Sequence, residues 1–383
     1  MKIPEKFDSI RPFEPEELPQ VFDRLIANPQ FRQVIGYVFP NVPFEDVASK
    51  MRSCKTSNDF QLKFCYGFVE SLMKKACRGC DMDASALDRS RNYTFMSNHR
   101  DIVLDSAFLD KLLVDAQFTT TCEIAIGDNL LSLPWVKDLA RVNKSFIVRR
   151  GLPMREMLAA SKLLSEYMHF AMSEKKENIW IAQRVGRAKD SNDVTQDGVL
   201  KMMAMGGEGT PAERLLQLHI APLSISYEYD PCDFLKAREF QLKRDVKGWK
   251  KSAEDDLVSM RTGIFGYKGA VHYQCAPCID DFLRALPADM PKTEFFSEVA
   301  ARIDHDIHSN YRLYPGNYVA LDLLDGGSAH SDHYTADDRH RFVDYLHGQL
   351  AKIELPNKDE AYLRERMLTM YAYPARNFLA TQR

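Results

Sequence analysis

In the stretch Ser97-Asn98-His99-Arg100-Asp101-Ile102-Val103-Leu104-Asp105, a histidine follows a short apolar run and two carboxylates stand within six residues of it. A neutral imidazole accepts a hydroxyl proton near pH 7, and a carboxylate beside it fixes the tautomer and stabilises the cation that forms. His99 with Asp105 or Asp101 is therefore a candidate general-base pair. A His–Asp pair standing alone is more often structural. Three later stretches change that balance, each an apolar run that ends in polar or basic residues: Gly127-Asp128-Asn129, then Arg149-Arg150-Gly151, then Gln183-Arg184-Val185-Gly186-Arg187-Ala188-Lys189. Arginines suit a phosphate, which they hold by bidentate, charge-assisted bonds. For any one of them a solvated basic rim is the simpler reading, but three such edges after a His–Asp pair favour an anion site.

The elements that must position these groups alternate. Short apolar runs at Tyr93–Met96, Cys122–Ile126, Ser145–Val148, Ile179–Ala182, His219–Tyr227 and Ala270–Gln274 read as strands. Helical patterns fall between them at about 105–117, 130–142, 152–173 and 196–205. Such alternation predicts an α/β fold with a largely parallel sheet flanked by helices, and ligands in such sheets sit at the carboxyl ends of strands. Residues 1–80 read as a helical N-terminal region, with a short amphipathic segment at Leu18–Leu25 and a longer one at Asn58–Lys75. The broad apolar face of the longer one (Phe60, Leu62, Phe64, Phe68, Val69, Leu72, Met73) suits either the core or a membrane surface, with core favoured. Residues 81–280 form the α/β domain. Within it, 232–268 is a charged helical insertion with Lys243, Arg244, Lys247, Lys250 and Lys251 clustered around Trp249. Residues 281–383 read as a helical C-terminal extension.

With 383 residues, 45% of them hydrophobic, the chain can bury a sizeable core. A net charge of −3 gives no overall basic field for nucleic acid. No stretch approaches the roughly 20 apolar residues that span a bilayer, and the N-terminus has no apolar core of a signal peptide or anchor. The expectation is a cytoplasmic protein. Eight cysteines are too sparse for a disulfide scaffold. Two pairs, Cys77 with Cys80 and Cys275 with Cys278, have CxxC spacing and would make a four-thiolate zinc site if the fold joined them. Buried, unreactive thiols are the preferred reading, so no metal is expected.

The blocks resemble, in order, those of the glycerol-3-phosphate and lysophosphatidic acid acyltransferase family, over roughly residues 92–280. SNHRDIVLD resembles its His-x4-Asp block, KSFIVRRG its Phe-Ile-x-Arg block, WIAQRVGRAKD its Glu-Gly-x-Arg block, and IAPLSISYE its proline-bearing strand. The later GAVHYQCAPCI is similar to the family's closing Gly-x-Val…Pro-Ile strand. Two departures stand out. Five residues, not four, separate His99 from Asp105, so either a one-residue bulge keeps Asp105 as partner or Asp101 takes the role. The apolar run after Asp105 favours the former. Val185 stands where the family has glutamate, which leaves Gln183 or another polar group to do the positioning.

The resemblance implies direct acyl transfer from acyl-CoA or acyl carrier protein to a hydroxyl of glycerol-3-phosphate or a lysophospholipid, a step of phospholipid biosynthesis. His99 and Asp105 (or Asp101) would be catalytic. Asn98, Arg100, Arg149, Arg150, Arg187, Lys189 and Pro222 would line the substrate site. No cofactor is required, and the enzyme would sit peripherally on the inner membrane face through the 58–75 helix or the basic 243–251 cluster. The alternatives are an O-acyltransferase for an amino-acid lipid, or a lipid- or membrane-binding protein whose catalysis is weakened or lost.

Overall fold

The structure, a computed structural model, describes residues 2–39 and 41–382. Seven strands form one sheet: β1 (Cys77–Asp83), β2 (Thr94–Ser97), β3 (Cys122–Gly127), β4 (Ser145–Val148), β5 (Asn178–Ala182), β6 (Ile220–Tyr227) and β7 (Gly269–Cys275). Their order is β1-β7-β6-β2-β5-β3-β4, and every pairing is parallel except β6 with β7. The expected largely parallel α/β sheet is what forms. Its central strands are buried on both faces, all eight residues of β6 among them, as parallel strands covered by helices must be.

Alternation along the strands sorts the core. Phe95, Trp180, Ala221 and Leu223 face the helix Leu104–Asp115, packing with its Phe108, Leu109 and Leu112. Met96, Ile179, Ile181 and Ile220 face the helix Met154–Ser173, packing with its Leu164 and Met168. On the open edge of β4, Ile147 donates its backbone N–H to Ile10 at 2.9 Å, so the N-terminal segment covers an edge that would otherwise be unpaired.

The helices Lys292–Ser309, Pro315–Asp325, Ala336–Ala351 and Glu360–Thr381 make up the C-terminal region. The last three share a core with Ala237 of the insertion helix Asp233–Asp245. That junction is also polar. Buried Asp233 accepts from Tyr345, Tyr371 and Gln349 at 2.6–2.8 Å, which ties insertion to extension.

Two element boundaries are corrected, and one alternative for the cysteines is excluded. β1 lies across the boundary drawn at residue 80, because CRGCDMD pairs with β7 although it lacks apolar alternation. The 58–75 segment is a π turn, Gln61–Cys65, between the helices Ser57–Phe60 and Tyr66–Ala76. Its Phe60, Val69, Leu72 and Met73 are buried in the core, the favoured reading, while Leu62 stays 41% exposed. The two CxxC pairs cannot share a metal. β1 and β7 run parallel with Cys80 opposite Val271, which leaves Cys275 about 13 Å further along. Burial pushes the Cys77 thiol up to about 11 and the Cys275 thiol up to about 12, so these two are protonated and unreactive near neutral pH. Among the described residues, no helix is long and apolar enough to cross a membrane.

Candidate active site

β2 is held on both sides by parallel neighbours, β5 and β6, and His99 is the second residue beyond its carboxyl end. The chain then turns and enters the helix Leu104–Asp115, placing Asp105 in the first turn, where the helix dipole favours an anion. Oδ2 of Asp105 accepts from His99 Nδ1 at 2.8 Å, Arg100 N at 2.6 Å and Asp101 N at 3.0 Å. Oδ1 accepts from the Tyr227 hydroxyl at 3.0 Å. The carboxylate is fully buried, yet four donors satisfy it, which is what keeps a buried charge tolerable. The extra residue between His99 and Asp105 is absorbed by the turn that wraps this carboxylate.

Asp101 faces elsewhere. Its Oδ1 accepts from the backbone N–H of Val103 (2.9 Å) and Leu104 (2.8 Å), satisfying donors at the start of the helix. Its carboxyl is pushed above the usual range by burial and by the Asp105 charge. Its Oδ2 lies against Gly263 of the helix Ala253–Phe265, where a Cβ would come within 2.0 Å. The carboxyl end of that helix is fastened by the buried Lys268 ammonium, which donates to the carbonyls of Gly263 (2.6 Å) and Gly266 (2.8 Å).

With Nδ1–H donated to Asp105, the His99 lone pair lies at Nε2, which has no hydrogen-bond partner among the described residues. The ring packs edge-on to Trp180 at 5.4 Å, and Trp180 is itself fixed by its Nε1–H donating to Ser97 Oγ at 3.0 Å. Imidazole, carboxylate and indole thus form a locked unit at the end of the central strand. Such a unit can take a proton from a hydroxyl placed at Nε2.

The expected substrate contacts divide into two groups. Arg149 and Arg150 are exposed just beyond β4. Sheet order sets β4 three strand spacings from β2, about 14 Å away. Arg187 lies in the loop after β5, the immediate neighbour of β2. Its Nη1 is buried and unpartnered among the described residues, as is Nε of Arg184. These four arginines stand at the carboxyl edge of the sheet and make no ion pair among the described residues.

The other expected contacts are otherwise engaged. Asn98 exchanges both amide bonds with Ile225 of β6, at 2.9 and 2.8 Å, and so extends the strand ladder. Arg100 is buried against Asp193 at 2.6 Å; burial alone would lower its pKa, but the Asp193 charge and then Tyr311 raise it. Lys189 is bonded to Glu239, which also takes Lys243 at 2.9 Å. Pro222 is buried within β6 opposite Met96, with its carbonyl accepting from Ala276 N at 2.9 Å. Asn98, Lys189 and Pro222 are thereby committed to the protein itself, whereas Nη1 of Arg100 is buried and unpartnered among the described residues. Gln183 is fully buried, and its amide has no partner among the described residues.

Val185 is 60% exposed, on a turn that Gly186 makes possible with φ +74°, a conformation side chains disfavour. Nothing in the sequence marks Tyr227, Trp180 or Gly263 for the site, whereas Arg184 falls in the basic edge after β5. Tyr227 and Trp180 do fall inside runs read as strands, but their neighbours depend on strand order.

No curated protein matches the chain in sequence. It is similar to the crystal structure of the 1-acyl-sn-glycerophosphate (LPA) acyltransferase PlsC from Thermotoga maritima, with a TM-score of 0.39 and 12% identity, over 78% of this chain and 100% of that one. Residues 82–226 match the family model described as Acyltransferase. That interval holds His99, Asp105, Trp180 and the four arginines. Residues 82–226 of this chain are an acyltransferase domain.

Proposed function

We propose that the protein moves a fatty acyl group from a thioester, acyl-CoA or acyl carrier protein, to the hydroxyl of an anionic lipid precursor such as glycerol-3-phosphate or a lysophospholipid. The observation that carries this reading is the 2.8 Å bond from His99 Nδ1 to Asp105, with Nε2 left free. Nε2 takes the proton from the acceptor hydroxyl as its oxygen attacks the thioester carbonyl. The carbon–sulfur bond then breaks, and the departing thiolate recovers the proton from the imidazolium, which Asp105 has stabilised meanwhile. Arg149, Arg150, Arg184 and Arg187 supply the charge for a phosphate headgroup. No step in this scheme calls for a metal or redox cofactor.

An acceptor and product with fatty chains reside in a bilayer, so the enzyme works at a membrane surface, which we take to be the cytoplasmic face. Lys247 and Lys250 suit anionic lipids there: both are exposed, and neither makes an ion pair among the described residues. Their cluster partners Lys243, Arg244 and Lys251 are paired with Glu239, Asp245 and Asp256.

A second reading, acyl transfer to the hydroxyl of an amino-acid lipid, is favoured only by Val185 in place of the expected glutamate. Thiol release from long-chain acyl-CoA, with each acceptor offered in turn, decides between them. His99→Ala should lower turnover by roughly 10²–10⁴-fold while the melting temperature holds. Undiminished thiol release by a folded His99→Ala protein rules out the mechanism. Liposome binding without turnover by the unaltered protein would leave a lipid-binding role.

A further inference from the structure

We propose that His219, Cys278 and Asp280 form a zinc site that ties the start of β6 to the turn after β7, at the end of the sheet opposite His99. The three residues come from two separate segments, and their ligand atoms (His219 Nδ1, Cys278 Sγ and an Asp280 oxygen) all lie within 4.8 Å of one another. Nδ1 of His219 is already 2.7 Å from Asp280 Oδ2. The second oxygen, Oδ1, is buried without a hydrogen-bond partner among the described residues, on a side chain only 7% exposed. A buried carboxylate oxygen left unpaired is costly and calls for a cation or donor. The histidine ring is aimed by a left-handed backbone, φ +45° at His219, which closes the turn into β6.

The donor set selects the metal. An imidazole nitrogen, a thiolate and a carboxylate suit zinc, whereas magnesium and calcium take oxygen alone. In a tetrahedral zinc site the ligand atoms stand about 3.4 Å apart, so the three must settle by about an ångström. Water fills the fourth position. On binding, the Cys278 thiol proton goes to solvent and the neutral imidazole moves its N–H from Nδ1 to Nε2. Thiolate and carboxylate together neutralise the ion.

One neighbour opposes it. A terminal nitrogen of Arg91 lies 3.3 Å from Nδ1 of His219 and 3.6 Å from Asp280 Oδ2. That side chain is half exposed and long, so it can withdraw to solvent or stay on the outer carboxylate oxygen. Arg284 is further off, at 3.8 Å.

The location makes this site independent of acyl transfer. Thr94, the first residue of β2, donates its backbone N–H to the His219 carbonyl at 3.1 Å, and His99 lies five residues further along, about 16 Å. Zinc here fastens the fold and takes no part in the reaction.

Cobalt(II), whose bond to a thiolate gives a near-ultraviolet charge-transfer band, is the probe. The reduced, metal-free protein should develop that band with one equivalent of cobalt and lose it on adding zinc. Cys278→Ser should abolish it. His219→Ala should weaken zinc binding at least about 100-fold, and Arg91→Ala should bind zinc at least as tightly as the unaltered chain. Zinc at a hundred times its Kd should raise the melting temperature by about 3 °C in the unaltered protein and not in Asp280→Asn. Melting of each metal-free variant shows whether it has folded. No cobalt band in the unaltered protein overturns the proposal. So does a band that persists in Cys278→Ser, since another of the eight cysteines would then be the ligand.

Discussion

Asp105 has more depending on it than any other side chain near His99, and Tyr227 is the partner through which this can be tested. Among the described residues its hydroxyl is the one donor to Oδ1, and it comes from β6, the strand paired with β2 on one side and β7 on the other. Tyr227→Phe removes that hydrogen bond and leaves a buried carboxylate oxygen unsatisfied, a loss of about 1–3 kcal/mol. The carboxylate becomes a poorer partner for the imidazolium, so we expect kcat to fall roughly 10-fold or more with KM for the acyl donor unchanged, and the acidic limb of the pH–rate profile to move. A KM effect with an unmoved profile would assign Tyr227 to packing alone. Val185 calls for the opposite kind of change. It is 60% exposed, so a glutamate there is not forced into the interior, and Val185→Glu should shift stability by less than about 0.5 kcal/mol. If the arginine site is otherwise complete, turnover with glycerol-3-phosphate or a lysophospholipid should rise. A fall from substantial activity would mean the site has been re-specialised for a different acceptor.

At the scale of elements, the loop after β2 and the helix Ala253–Phe265 meet at one tight contact. A methyl group at Gly263 would overlap Asp101, which cannot swing aside because two backbone N–H groups hold it. Gly263→Ala should therefore cost about 1–3 kcal/mol and displace the turn that wraps Asp105, lowering kcat. Urea melts and steady-state rates measured together check this; a variant with normal stability and rate would show the contact to be slack. The contact also marks the limit of what the sequence discloses. The six strands read from apolar runs all form, because each run is bounded by polar residues and long enough to cross the sheet. β1 was missed because Arg78, Asp81 and Asp83 give it no apolar alternation; its one partner strand, β7, is what makes it a strand. His99 and Asp105 are legible because they sit six residues apart, on one loop and the helix turn that follows it. Tyr227, Trp180 and Gly263 lie far from that loop in sequence and reach it only through strand order and helix packing. The same reason explains Asn98 and Arg100, whose types suggest a substrate but whose partners, Ile225 and Asp193, arrive from elsewhere in the chain.

For the whole molecule, the stability of the fold carries a pH dependence with an identifiable source. Asp110, in the middle of the helix Leu104–Asp115, accepts from Cys122 N at the start of β3 (2.8 Å) and from Gln61 in the π turn (3.2 Å). It thereby joins the N-terminal helices to the sheet. Burial pushes its carboxyl up to about 7, against about 3.9 in an unfolded chain. The folded state therefore holds this proton more tightly than the unfolded state does. Its contribution is complete below about pH 4 and is lost as pH rises through about 7, a change of at most about 4 kcal/mol. Asp110→Asn keeps an oxygen for Cys122 N and cannot titrate, while Gln61 can turn its amide to accept from the new NH2 group. The variant should lack this part of the slope, so the stability of the unaltered protein relative to Asp110→Asn should decline steadily between about pH 4.5 and pH 8. Urea unfolding of both proteins across that range measures the difference directly. A constant difference would mean that Asp110 is already ionised at the acidic end, its charge held by Cys122 N, Gln61 and the nearby Lys144.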